Sequence, residues 1–208
     1  MGGFSVAWRE KFVGLYMNKI VLIDGVPIVH VAGRCFLLAM RHGVPFMVEN
    51  SSALRKTERA IDLLCDTGFD DLLRSTEMFT VILRSSKMPF SMHMGRGRTS
   101  VAFFEEKFLT GHTLKMCASG LVHEATHIKQ WRERCGWSFE KNEVDACHAQ
   151  IDFLHYVEGC REIECIEHFF KTQNFWWVRD TREEAAWQRW IVQNELILYG
   201  LKELKIIQ

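Results

Sequence analysis

The 208-residue chain predicts an α+β fold, with a small, mostly antiparallel sheet first and a helical half after it. Two observations carry this reading. Runs of β-branched and aromatic residues bounded by turn signals, and all three prolines (27, 45 and 89), lie before residue 115. Beyond it, apolar residues recur at helical spacing almost to the end. With 48% apolar and 25% charged residues the balance is that of a globular chain. Its length suits one domain with a real core. Within it, 1–48 reads as an amino-terminal hairpin or extension, 50–160 as the core and 161–208 as carboxyl-terminal helices.

The elements follow in order. Ile20 to Val31 reads as a hairpin with Asp24-Gly25 as its turn. Ser51 or Ser52 can cap a helix carrying Leu54, Ile61 and Leu64, and Gly68 is its stop. The runs 79–84 and 100–105 read as strands joined by the Met/Gly/Arg-rich loop 87–99. Ser100 to Glu105 is expected to be an edge strand able to pair with extended substrate backbone. A helix follows over about 116–134, stopped by Gly136. The next starts near Ser138 and carries Glu143, Ala146, Cys147, Gln150 and Leu154. Two more are expected over 160–176 and 181–204. In the last, Trp187, Trp190 and Leu198 fall at core-packing intervals. The adjacent pair Trp176 and Trp177 cannot share one helix face, which leaves one of them for a cleft or a contact surface.

Charge and composition exclude several function classes. The formal net charge is zero, and the pair Arg96/Arg98 is too short a basic run to grip phosphates, so nucleic acid is not expected as a partner. Seven scattered cysteines, an odd number without Cys-x-x-Cys spacing, suggest free, mostly buried thiols in a reducing cytoplasm. The start, Met-Gly-Gly-Phe-Ser-Val, has no apolar signal core and misses the myristoylation pattern. The most apolar stretch, 20–40, is interrupted by Asp24, Pro27, His30 and Arg34, so no membrane partner is expected.

The chemistry resides in His123-Glu124-Ala125-Thr126-His127. Histidines four apart on a helix stand one above the other, and their imidazoles can reach one Zn²⁺ together. Glu124, about 100° around the helix, can face the water a metal activates without becoming a ligand itself. With 9 His and 18 Glu in 208 residues, composition alone supplies the pattern about 0.03 times, so coincidence is a weak explanation.

Two histidines do not hold a catalytic zinc; a third protein ligand is required. The metzincin continuation needs Gly at 130 and His at 133, where this chain has Gln130 and Glu133. Glu133 stands six residues past His127 on a helix without a glycine bend, and so faces away. The run 141–150 offers Glu143, with Asp145 and His148 as competitors. Glu143 lies far enough past His127 to finish one helix and return on the next, and Ala146 one turn along permits close packing. Asp145 and His148, followed by Asp152 and His155, also read as a surface charge cluster. Asp145 or Asp152 is a candidate to accept an imidazole N–H from behind the site.

The run Ala118-Ser-x-Leu-Val-His-Glu-Ala-x-His, followed by Glu143-x-x-Ala-Cys-x-x-Gln150-x-x-Phe, resembles small, uncharacterised bacterial metallopeptidases of the gluzincin type. The resemblance covers roughly 50–160 and is strongest over 117–154. It implies a zincin-like fold, one Zn²⁺, and hydrolysis of peptide bonds in a protein or peptide substrate. By it His123, His127 and Glu143 become ligands and Glu124 the general base. The oxyanion-stabilising tyrosine or histidine of better-known gluzincins has no motif here, leaving His112, Tyr156 and His168 as candidates. Two rival functions share these residues. One is a zincin-like domain working as a binding or regulatory module, and the other is an effector toxin that cuts a single target. An intact Glu124 argues against the first.

Overall fold

A computed structural model describes residues 20–23, 26–31, 34–84, 91–92, 100–133 and 139–172. The expected turn at 24–25, the stop at Gly136, the helix at 181–204 and the tryptophans at 176, 177, 187 and 190 lie outside these residues.

Seven strands form one mixed sheet in the order β1-β2-β3-β4-β5-β7-β6. The first four, β1 (Ile20–Ile23), β2 (Val26–Val31), β3 (Arg34–Arg41) and β4 (Val44–Val48), make an antiparallel meander. The strands of the expected hairpin are its first pair, with Ile23 opposite Val26. His42 and Gly43 link β3 to β4 with φ of 49° and 78°, a turn that needs two left-handed residues. Two helices then cross over, α1 (Ser51–Thr67) and α2 (Asp70–Ser75). They return the chain as β5 (Met78–Leu83), parallel to β4.

The sheet departs from the expected pattern at its centre, where β7 (Ser100–Glu105) also runs parallel to β5. A parallel neighbour requires a crossover. Between β5 and β7 the described residues include the short strand β6 (Ser91–Met92). β6 pairs with Val101 and Ala102 on the outer side of β7, so the outermost place in the sheet belongs to β6 and not to β7. The expected edge-strand role of Ser100 to Glu105 is corrected accordingly.

Parallel strands buried on both faces read as continuous apolar runs, and every residue of β4 and β5 is buried. One face, with Phe46, Val48, Ile82 and Phe104, packs on the helices. The opposite face carries Leu38, Met47, Val81 and Phe103, each at most 2% exposed, so it too is covered. Completing the helical side are α3 (Glu106–Gly111), α4 (Leu114–Arg132), α5 (Phe139–Tyr156) and α6 (Cys160–Thr172).

Local chemistry sets the helix ends. The cap of α1 is Asn50 and not either serine: its Oδ1 accepts from the amide of Ala53 at 2.9 Å and from the hydroxyl of Ser52 at 2.7 Å. Gly68, at φ 75°, terminates α1 as expected. The start of α4 is capped by Thr113, whose Oγ1 accepts from the amide of Met116 and donates to Glu162 on α6 at 2.6 Å. No helix among the described residues is long and apolar enough to cross a membrane. Among the described residues Cys65, Cys117, Cys147, Cys160 and Cys165 are free thiols, of which Cys117 and Cys147 are buried and Cys160 and Cys165 exposed.

Candidate metal centre

α4 and α5 pack side by side, running in opposite directions, and a column of polar contacts links them. Near the start of α4, Gln150 donates to the hydroxyl of Ser119 at 3.0 Å. One and two turns along, His123 and His127 meet Glu143, and near the end of α4 Gln130 donates to the main-chain carbonyl of Asn142 at 3.0 Å. Ala146, fully buried and one turn from Glu143, leaves room for the two backbones to come this close.

At the middle of this column one ligand atom each from His123, His127 and Glu143 lies within 4.8 Å of the others, a group that could hold a metal ion. The two Nε2 atoms are 3.0 Å apart, and the rings meet edge to face. Glu143 reaches Nε2 of His127 at 3.2 Å and Nε2 of His123 at 3.6 Å. Donors held tetrahedrally at about 2.0–2.1 Å from a cation stand about 3.3–3.4 Å from one another. The three observed separations bracket that value, so the donor set fits a small tetrahedral ion.

A fourth residue lies close enough to act on the same place. Glu124 is 4% exposed, and its Oε2 has no hydrogen-bond partner among the described residues. Its charge acts on both His127 and Cys147. A buried carboxylate oxygen without a partner is costly unless a cation or a polar ligand meets it. A water held by a metal at this position would supply that partner.

The electrostatics agree with the geometry. Burial opposes charge on Glu143, yet its hydrogen bonds to His123 and His127 and their charges hold its pKa down at about 2. Burial also works against protonated His127, but the Glu143 hydrogen bond, the charges of Glu124 and Glu143, and the Gln130 contact outweigh it and raise its pKa. A proton on His127 and a metal at this place would compete for the same lone pair.

Behind the imidazoles the sequence misled. Neither Asp145 nor Asp152 backs a histidine. Instead Nδ1 of His127 lies 3.1 Å from Oε1 of Gln130, and Nδ1 of His123 lies 3.5 Å from Sγ of Cys147. Burial, with the charges of Glu143 and Glu124, pushes the Cys147 thiol far up, so it stays protonated. The signals were present in the spacing, since Gln130 is three residues past His127 and Cys147 four past Glu143. Asp145, two residues from Glu143, is turned about 200° round α5. His148, Asp152 and His155 are exposed, as a surface cluster would be.

None of the three oxyanion candidates comes to this place. His112 is exposed ahead of the first turn of α4, its ring against Phe108 at 4.9 Å. Tyr156, 65% exposed, ends α5 at the far side from Glu143 and leans on Phe69. His168 is exposed on α6. Comparison with known protein families, characterised proteins and solved structures yields no match to this chain.

Proposed function

We propose that the chain is a zinc-dependent metallopeptidase of the gluzincin type, hydrolysing peptide bonds in a protein or peptide substrate within a zincin-like fold. One observation carries the reading: two imidazoles from α4 and a carboxylate from α5 converge within 4.8 Å, with the buried, unpartnered oxygen of Glu124 nearby. A His₂Glu donor set of this size favours zinc over harder cations, which prefer all-oxygen sites.

His123, His127 and Glu143 would hold the ion. Zinc, when bound, supplies Lewis acidity that polarises a scissile carbonyl and makes water more acidic. The remaining roles belong to the chain. Glu124, fixed in the wall of α4 one residue from the first histidine, accepts a proton from the attacking water and returns it to the leaving amine. Partial burial of the cluster between α4 and α5 strengthens each of these charge interactions and leaves a solvent-accessible side for substrate.

The test is cleavage of a broad peptide library by the zinc-loaded protein and by Glu124→Gln. The expected result is turnover in the wild type and a loss of about 10²–10⁴-fold in the variant, at unchanged zinc content. A zinc-loaded wild type that cleaves nothing but binds one protein tightly would return the reading to a binding module.

A further inference from the structure

Gln130 has its two amide atoms on two different helices, and this fixes more than packing. It is only 6% exposed. Its Nε2 lies 3.0 Å from the main-chain carbonyl of Asn142, which can only accept, so this end of the amide must be the NH₂. Oε1 is then the atom 3.1 Å from Nδ1 of His127. A carbonyl oxygen cannot donate, so Nδ1 must carry the hydrogen. In the neutral ring that leaves the lone pair on Nε2, the atom that faces Nε2 of His123 and the Glu143 carboxylate.

Resting on the metal-site reading above, we propose that Gln130 is a positioning residue for both helices of the centre. Its carbonyl selects the His127 tautomer whose Nε2 can act as a donor. Its amide N–H tethers the carbonyl of Asn142, the residue directly before Glu143, and so sets where α5 presents that carboxylate. One side chain thereby couples a histidine on α4 to the carboxylate on α5. A wholly apolar residue at 130 would leave Nδ1 of His127 and the Asn142 carbonyl without these partners. It would also free the imidazole to rotate or change tautomer. The more common carboxylate partner of a metal-bound histidine could take the Nδ1 hydrogen, but an ionised carboxylate could not also donate to Asn142.

The test uses the whole chain as wild type, Gln130→Ala and Gln130→Glu, each checked for folding by thermal melting. In the metal-free proteins, long-range ¹⁵N–¹H spectra above the His127 titration read its tautomer directly. The expected result is hydrogen on Nδ1 in the wild type and in Gln130→Glu, shifting to Nε2 in Gln130→Ala. Zinc competition against a chromophoric chelator should show affinity reduced roughly 10–100-fold in Gln130→Ala. Gln130→Glu should recover only part of it, because the Asn142 tether stays broken. Hydrogen on Nε2 in the wild type, or an unchanged zinc affinity in a folded Gln130→Ala, would overturn the proposal while leaving the metal site intact. A wild type that takes up no zinc overturns the metal-site reading, and this proposal with it.

Discussion

The Glu143 carboxylate lies 3.2 Å from Nε2 of His127, although sixteen residues and a change of helix separate them in the chain. No local rule produces such a contact. It exists because α4 and α5 pack in opposite directions, and because Ala146 puts only a methyl group between them.

That contact makes the first prediction one of metal content. Replacing Glu143 or His123 by alanine removes one of three donors and is expected to abolish stoichiometric zinc, read by elemental analysis after dialysis. Glu143→Ala that still holds one zinc per chain would show that the ligand set is wrong.

Packing makes the second. Ala146→Leu forces a branched side chain between α4 and α5, and is expected to cost about 1–3 kcal/mol in chemical denaturation. Zinc affinity should fall with it, because splaying the helices withdraws Glu143 from both histidines. A variant that loses stability but binds zinc as tightly as the wild type would uncouple this helix contact from the centre.

The pH dependence should reverse between the metal-free and metal-loaded protein. Glu143, held at about 2 against an ordinary 4.5, contributes stability that is present above 4.5 and is lost as pH falls toward 2. His127 is raised above its ordinary 6.5, so its contribution is complete below 6.5 and is lost as pH rises through the folded value. This pair therefore favours the metal-free fold most between those limits. Zinc needs neutral His127, so its affinity should climb with pH across the same upper limit. Melting curves and chelator competition over a pH series check both slopes, and a metal-free protein that gains stability through neutral pH in a His127-dependent way would refute the assignment.

Lower in the column, Ser119 and Gln150 are both buried and bonded to each other at 3.0 Å. Ser119→Ala should cost about 1–3 kcal/mol by leaving the Gln150 amide short of a partner. Adding Gln150→Leu should recover much of that, because two apolar groups replace a broken polar pair. Strictly additive losses in the double variant would show that the pair is not coupled.

Capping supplies a last check on α1. Asn50→Ala should destabilise by about 0.5–2 kcal/mol, whereas Ser51→Ala should stay within about 0.5 kcal/mol. Equal effects at the two positions would contradict the observed cap, in which Asn50 Oδ1 accepts from Ala53.

How much of this was legible beforehand depended on the range of the interaction concerned. The first hairpin, α1 with its Gly68 stop, the paired histidines of α4 and a returning helix through Glu143 all rest on periodicity or on turn chemistry spanning a few residues. Such signals are written locally, because a helix places i and i+4 together whatever surrounds it. The α1 cap failed by one residue because asparagine and serine compete for the same amide, and only the realised backbone path chooses between them. The parallel run β4-β5-β7 was hidden because a fully buried strand has no alternation to reveal which partner or direction it will take.

By itself the sequence determined that His123 and His127 share one helix face, that Glu124 stands beside them, and that carboxylates follow on the next helix. Gln130 stands behind His127 from the same helix, and tertiary structure decided what α5 puts behind His123, where Cys147 takes the place offered to Asp145 and Asp152. The physical reason is that a helix fixes its own faces, whereas the rotation of α5 about its axis is set by burying Ala146, Cys147 and Gln150 against α4. That rotation turns Glu143 inward and carries Asp145 about 200° away from it.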